Sequence, residues 1–346
     1  MRLGFLLDYR QRHLSIDMDL IKQAETLGYD SVWLSEAWGN DVVSAGAWIL
    51  AQTEKIRFGT AIMQIPARTP AMAAMTAITL DHLSGGRFIL GLGVSGPQVS
   101  EGWYGEPYGK PLDKSREYIE IIREILRREG PLEFEGSHYQ IPVKGEGTTG
   151  LGKPLKSILH GNPAQPIYSA SFTPGGIRNA ASLADGLIPI WMDPTRFDLF
   201  ETQLNQGFES TGGQRSLDNF DICPFVFAGV FDDLDACRAP LREVFALYVG
   251  GMGSKTKNFY NDYVKRMGYE SAAEQIQALY LAGEKGKAAA AVPDDLIDDL
   301  CLIGPEARVR EQLSVWKEAA AKRHVDTMII QAPDANTLRV IAEECL

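Results

Sequence analysis

The residues best able to do chemistry in this sequence are two glycine-bearing turns and two isolated carboxylates. Residues 91–96 read GLGVSG and satisfy the pattern G-x-G-x-x-G. In a dinucleotide-binding fold those glycines let the backbone approach a pyrophosphate, and the last one opens a helix. Here Pro97 follows immediately and helical periodicity resumes only near residue 113, so no helix N-terminus is expected to receive a phosphate. A nicotinamide dinucleotide therefore ranks last among the readings. The glycines are either a bare backbone wall beside a ligand or the cause of tight turns. Residues 171–176 read SFTPGG and run straight into the helical pattern IRNAASLA. Free amides at such a helix start, with the positive end of its dipole, make the better anion trap. Capping of the helix by Thr173 is the competing use. Asp8 and Glu36 each follow an apolar run of strand character. A carboxylate in that place can pass a proton to a bound molecule or pair with a cation, and residue type leaves both uses open.

Positioning these groups falls to a regular alternation of strand-like and helix-like segments. Strands are expected at 2–7, 31–34, 56–62, 87–92, 166–170, 186–191, 222–230 and 325–331. Helices are expected at 17–27, 41–53, 70–83, 113–128, 175–183, 195–206, 234–248 and 305–320, with another at the C-terminus. Such alternation implies a parallel sheet covered by helices, and eight strands predict a closed (β/α)8 (TIM) barrel as one domain over 1–346. Two excursions break the beat, one after the fourth strand and one after the seventh. Residues 131–164 are rich in Gly and Pro, with room for a small hairpin; residues 250–300 are helical and polar and include the flexible-looking GEKGKAAAA. In a barrel of this kind chemistry collects at the C-terminal strand ends. Asp8, Glu36, 61–64, 93–96, 170–176, 191–193 and the segment after Gln331 lie there.

Composition narrows the classes of function. The net charge of -11 disfavours nucleic acid and anionic membrane as partners, without excluding an anionic cofactor held by local donors. Four cysteines (Cys223, Cys237, Cys301 and Cys345) form no C-x-x-C pair, which predicts a reducing, cytoplasmic setting. No signal-like or membrane-spanning stretch is read, and five dispersed histidines suggest no metal site. His82, on the helix side of the alternation, is read as structural.

The stretches LDHLSGGRFILGLGVSG, EGWYGEPYGKP and SREYIEIIREIL resemble the luciferase-like monooxygenase superfamily, and within it the branch that uses the deazaflavin coenzyme F420. FLLDY, AETLGYDSVWLSEAWG, IRFGTAIMQIPARTPAMAAM, YSASFTPGGIRNAASLADGLIPIW and CLIGPEARVREQL follow the same pattern in the same order, so the likeness spans nearly the whole chain. It implies a barrel whose third strand ends in a bulge with a non-prolyl cis peptide, here Ala61–Ile62, backing the cofactor ring. It implies cofactor contacts from Trp38, from Gly93, Val94, Ser95 and Gly96, and from Ala170, Ser171, Thr173, Pro174, Gly175 and Gly176. Asp8 and Glu36 become the candidates for proton handling, and Trp103, Tyr104 and Trp191 for walls of a substrate pocket. Tyr108 belongs with these aromatics, and Lys110 and Arg116 with an acidic cofactor tail. Relatives place a histidine near Glu36 and a carboxylate in the fourth-strand loop; this sequence has neither, so their proton donor does not carry over. The implied activity is hydride transfer between F420 and an organic small molecule, in a protein expected to be a homodimer. An FMN-dependent two-component monooxygenase and a non-catalytic cofactor-binding barrel are the alternatives.

Overall fold

Eight short parallel strands close on themselves. They are β1 (Arg2–Leu6), β2 (Ser31–Leu34), β3 (Arg57–Thr60, continued by Met63–Gln64), β4 (Phe88–Gly93), β5 (Ile167–Ala170), β6 (Gly186–Ile188), β7 (Asp221–Ile222 and Phe225–Val230) and β8 (Thr327–Gln331). The computed structural model describes residues 1–332 and 334–346. Neighbours pair in chain order from β1 to β6. β7 then joins β6 at Gly186↔Asp221, β8 joins β7 at Phe225↔Ile329, and β8 pairs with β1 to complete the ring. Strands such as FILGLG and TMIIQ are near-continuous apolar runs because both of their faces are covered, one by the barrel interior and one by helices.

One interior layer shows how the ring is filled. Leu6, Trp33, Ala61, Ile89, Tyr168, Ile188, Cys223 and Ile329 form a single buried cluster, one residue from each strand or its immediate end. Side chains alternate along a strand, so Asp8, Phe227 and Gln331, two or four positions further on, share that inward face at the C-terminal mouth. Helices are placed by local signals: Thr69 caps Pro70–Ser84 through Met72 N, and that helix stops at Gly85 with φ 69°.

Several expectations need correction. Cys301–Gly304, read as part of a tail, is a ninth parallel strand paired with the end of β7. It follows the helix Asp294–Leu300 with no turn signal between them, so nothing in the sequence separates the two. GEKGKAAAA is not flexible coil, since Lys285–Ala290 is helical, as its alanines favour. Pro97 does open a helix, the single turn Pro97–Ser100, because proline suits the first helical position, where no amide is needed. The expected helix 195–206 lies at Asp198–Glu209.

The first excursion does contain a two-residue hairpin, Phe134–Glu135 against Gln140–Ile141. It is fastened by one carboxylate. Glu117, buried on the helix Pro111–Arg127, accepts the backbone N–H groups of Ser137, His138 and Tyr139 at 2.7, 2.8 and 3.0 Å. Glu117→Ala would strand these donors at about 1–3 kcal/mol each where no water replaces the carboxylate. Limited proteolysis within 131–164 is expected to accelerate several-fold in that variant; an unchanged cleavage rate would refute the clip.

Candidate functional site

The bulge after β3 is tied to the end of β2. The Ala61–Ile62 peptide bond is cis, as the resemblance implied. The Ser35 hydroxyl donates to Ala61 O at 2.7 Å and Glu36 N–H to Ile62 O at 3.1 Å, so both carbonyls of the bulge are held. Ile62 in turn packs beside Gly93 of β4, where a Cβ would overlap the Ile62 side chain. Residues 61, 62 and 93 thus form one continuous wall.

Glu36 stands directly behind this wall and is fully engaged. Arg68 Nη1 and Nη2 donate to its two carboxylate oxygens at 2.8 Å each, the fork geometry that suits a guanidinium. Gln64 N–H adds a bond at 2.9 Å and Val42 N–H one at 3.4 Å. Arg68 also meets Asp41, which caps the helix Val42–Leu50 through Ser44 N–H. Burial opposes the charge on Arg68, yet hydrogen bonds from its guanidinium to Glu36 and the charges of Glu36 and Asp41 raise its pKa above the ordinary value. Tyr104 reaches the same place from the loop after β4: burial and then the Glu36 charge push its phenol up. Arg68 was not singled out from sequence, although it sits between the third strand and its helix, where a barrel keeps its chemistry.

The two glycine turns do different work. Gly91 exchanges both backbone hydrogen bonds with the Thr60 hydroxyl, at 2.9 and 2.7 Å, and a Cβ there would collide with the Thr60 carbonyl. Its role is close strand packing. Ser95 adopts φ 59°, and Gly96 accepts from Val99 and Ser100 to start the short helix. In the second turn Thr173 Oγ1 accepts from Gly176 N–H at 3.2 Å, a genuine N-cap for Pro174–Leu183. Gly175 N–H has no acceptor among the described residues, as expected so near a helix start.

Aromatic residues cluster at the mouth, and of the tryptophans first named Trp191 joins the cluster while Trp38 and Trp103 do not. Trp38 and Trp103 are 58% and 63% exposed, away from the packed cluster. Trp191 is 1% exposed and stacks on Phe245 with ring centroids 4.5 Å apart. Tyr248 and Tyr260 meet its edge at 5.6 Å each, and Phe172 packs on Tyr260 at 4.8 Å. Burial and then the nearby Tyr9 push the Tyr248 phenol far up; burial takes Tyr260 to about 12. Loops after β1, β5, β6 and β7 therefore converge here. Asp8, by contrast, has a 45% exposed side chain that accepts from Arg10 N and Nε. It lines a cavity of about 1450 Å³ together with Leu6, Phe227 and Gln331 of the inward face. That cavity runs between the β1 loop and the helix Leu234–Ala246, and it includes neither glycine turn.

Ala61, Ile62 and Gly93 are the residues a planar ring would have to meet here, and the free Gly175 amide at the start of the helix Pro174–Leu183 is a donor for an anion. Among the described residues no cluster of metal-ligating groups occurs, and no helix is long and apolar enough to cross a membrane. The family described as luciferase-like monooxygenase matches residues 1–323. A Mycobacterium tuberculosis protein named for coenzyme F420-dependent oxidoreductase activity is 42% identical over 348 residues, covering 99% of this chain and 98% of its own. The 5,10-methylenetetrahydromethanopterin reductase of Archaeoglobus fulgidus is 26% identical, covering 94% of this chain and 93% of its own. The structure of coenzyme F420-dependent tetrahydromethanopterin reductase from Methanopyrus kandleri superposes with a TM-score of 0.77 at 23% identity, covering 99% and 97% of the two chains.

Proposed function

The chain belongs to the luciferase-like monooxygenase family, and on that premise we propose that it is a coenzyme F420-dependent oxidoreductase that moves a hydride between the deazaflavin and an organic substrate. The observation that carries this reading is the wall of Ala61, Ile62 and Gly93, held from behind by Ser35 and Glu36 at the barrel mouth. A deazaflavin has carbon where a flavin has its reactive N5, so when bound it supplies two-electron hydride chemistry without readily activating oxygen.

The chain's own residues orient and exclude. Ala61, Ile62 and Gly93 back the ring, and Val94, Ser95 and Gly96 edge it. Ala170, Ser171, Thr173, Pro174, Gly175 and Gly176 hold the phosphate side, and Trp38 and Trp103 are exposed enough to close over a bound molecule. Glu36 is a positioning residue, because both of its oxygens are occupied by Arg68 and backbone amides. Asp8, at the C-terminal end of β1 and paired with Arg10, takes the proton of the substrate hydroxyl, or returns it, while Tyr104 and the Trp191 cluster exclude water. The proposal extends to a reducing compartment, supported by four free cysteines. It also extends to a dimer, supported by the exposed Met75, Leu83 and Ile158.

Anaerobic and aerobic turnover tests this reading. A panel of small alcohols mixed with enzyme and F420 is expected to bleach the coenzyme's ring absorbance equally with and without oxygen. Oxygen uptake in step with substrate loss, dependent on reduced FMN, would overturn it in favour of a monooxygenase.

A further inference from the structure

Arg266 is a half-buried arginine that forms no salt bridge among the described residues. Arg68, Arg123, Arg238 and Arg310 each pair with an acidic side chain. Among the described residues Arg266 makes no such pair. Its Nη2 donates to Phe172 O at 2.6 Å and its guanidinium lies 5.1 Å from the Tyr263 ring centroid, which leaves most of its five N–H groups without an acceptor. Burial holds its pKa below the ordinary arginine value, and Tyr263 and Asp262 offset this only in part.

The carbonyl it grips belongs to the phosphate-side turn. Phe172 lies between Ser171 and Thr173, and its ring packs on Tyr260 and Tyr263 of the helix Phe259–Arg266, at 4.8 and 5.3 Å. The same helix reaches β6, since the Tyr263 hydroxyl donates to Trp191 O at 3.1 Å. Arg266 is therefore not a free surface cation. It is fixed at the end of a helix clamped on the turn that carries the unpaired Gly175 amide.

We propose that Arg266, supplied by the second excursion, completes the oxyanion site of the turn at residues 171–176 and binds the phosphate of the deazaflavin coenzyme. This rests on the functional reading above. A guanidinium beside a helix start offers a phosphate two kinds of donor at once, charge-assisted and backbone. The excursion thereby becomes a part of cofactor binding in a region where the family likeness is weakest.

The test is a fluorescence titration of Arg266→Gln and Arg266→Lys with the full coenzyme and with its chromophore core lacking the phosphate-bearing chain. Arg266→Gln is expected to bind the full coenzyme roughly ten- to a hundredfold more weakly, with Arg266→Lys in between and the core unaffected. Wild-type affinity of Arg266→Gln for the full coenzyme, or equal losses for both ligands, would overturn the proposal. If the glutamine variant is misfolded by circular dichroism, the lysine variant decides by the same two comparisons. Wild type that binds no coenzyme would instead defeat the functional reading. A melting temperature raised by inorganic phosphate in wild type but not in Arg266→Gln would then still support the oxyanion site, and no rise in wild type would overturn it.

Discussion

Replacing Arg68 by leucine is expected to cost about 3–5 kcal/mol of folding stability, because it leaves the Glu36 carboxylate buried and stripped of its main partner. Only 4% of the Glu36 side chain and 17% of the Arg68 side chain are exposed, so water does not replace the guanidinium. Gln64 and Val42 amides remain, at 2.9 and 3.4 Å, and two backbone donors do not balance a buried negative charge. The consequences extend past the pair. Asp41 would also lose the guanidinium it shares with Glu36. Guanidinium chloride melts check the magnitude, and a loss below about 1 kcal/mol would show that the pair is solvated in practice. The double replacement of Glu36 and Arg68 by leucine separates charge from packing. It is expected to recover much of the loss, since well-packed apolar residues often stand in for a buried pair without penalty.

The second large effect belongs to Gly91. Gly91→Ala is expected to destabilise by at least the 1–3 kcal/mol typical of an overpacked core, because its Cβ would overlap the Thr60 carbonyl of the neighbouring strand. Backbone cannot swing aside as a flexible side chain can, so β3 and β4 must part where Thr60 and Gly91 bond each other. Gly96→Ala is the contrast: its Cβ would meet only the end of the Gln98 side chain at 3.1 Å, in an ordinary extended conformation of φ -108°. Alanine there is expected to be near neutral in thermal melts. Equal effects at the two positions would break the distinction between a packing glycine and a tolerant one.

That distinction marks where the sequence could be read and where it could not. The eight barrel strands were legible because each is an apolar run between turn residues, and their count alone implies closure. Cys301–Gly304 was not, since it follows a helix without punctuation. The G-x-G-x-x-G spelling had no power to tell Gly91 from Gly96; only the neighbouring strand does. Glu36 was legible as a carboxylate at a strand end, but its partner lies 32 positions away and one arginine in a loop carries no periodicity. Trp191 was read as a wall of the substrate pocket; it is buried against Phe245 from the helix after β7, a partner that local pattern could not bring there. The cis bond at Ala61–Ile62 was foreseen through family likeness alone, because nothing in the physics of those two side chains favours it.

The central claim is that the Ala61, Ile62 and Gly93 wall and the turn at 171–176 hold coenzyme F420. Titration of the purified protein with F420 and, separately, with FMN, followed by ring fluorescence, tests it most directly. Saturable quenching of F420 with clearly weaker binding of FMN is the predicted result. Tight binding of FMN with none of F420 would contradict the account.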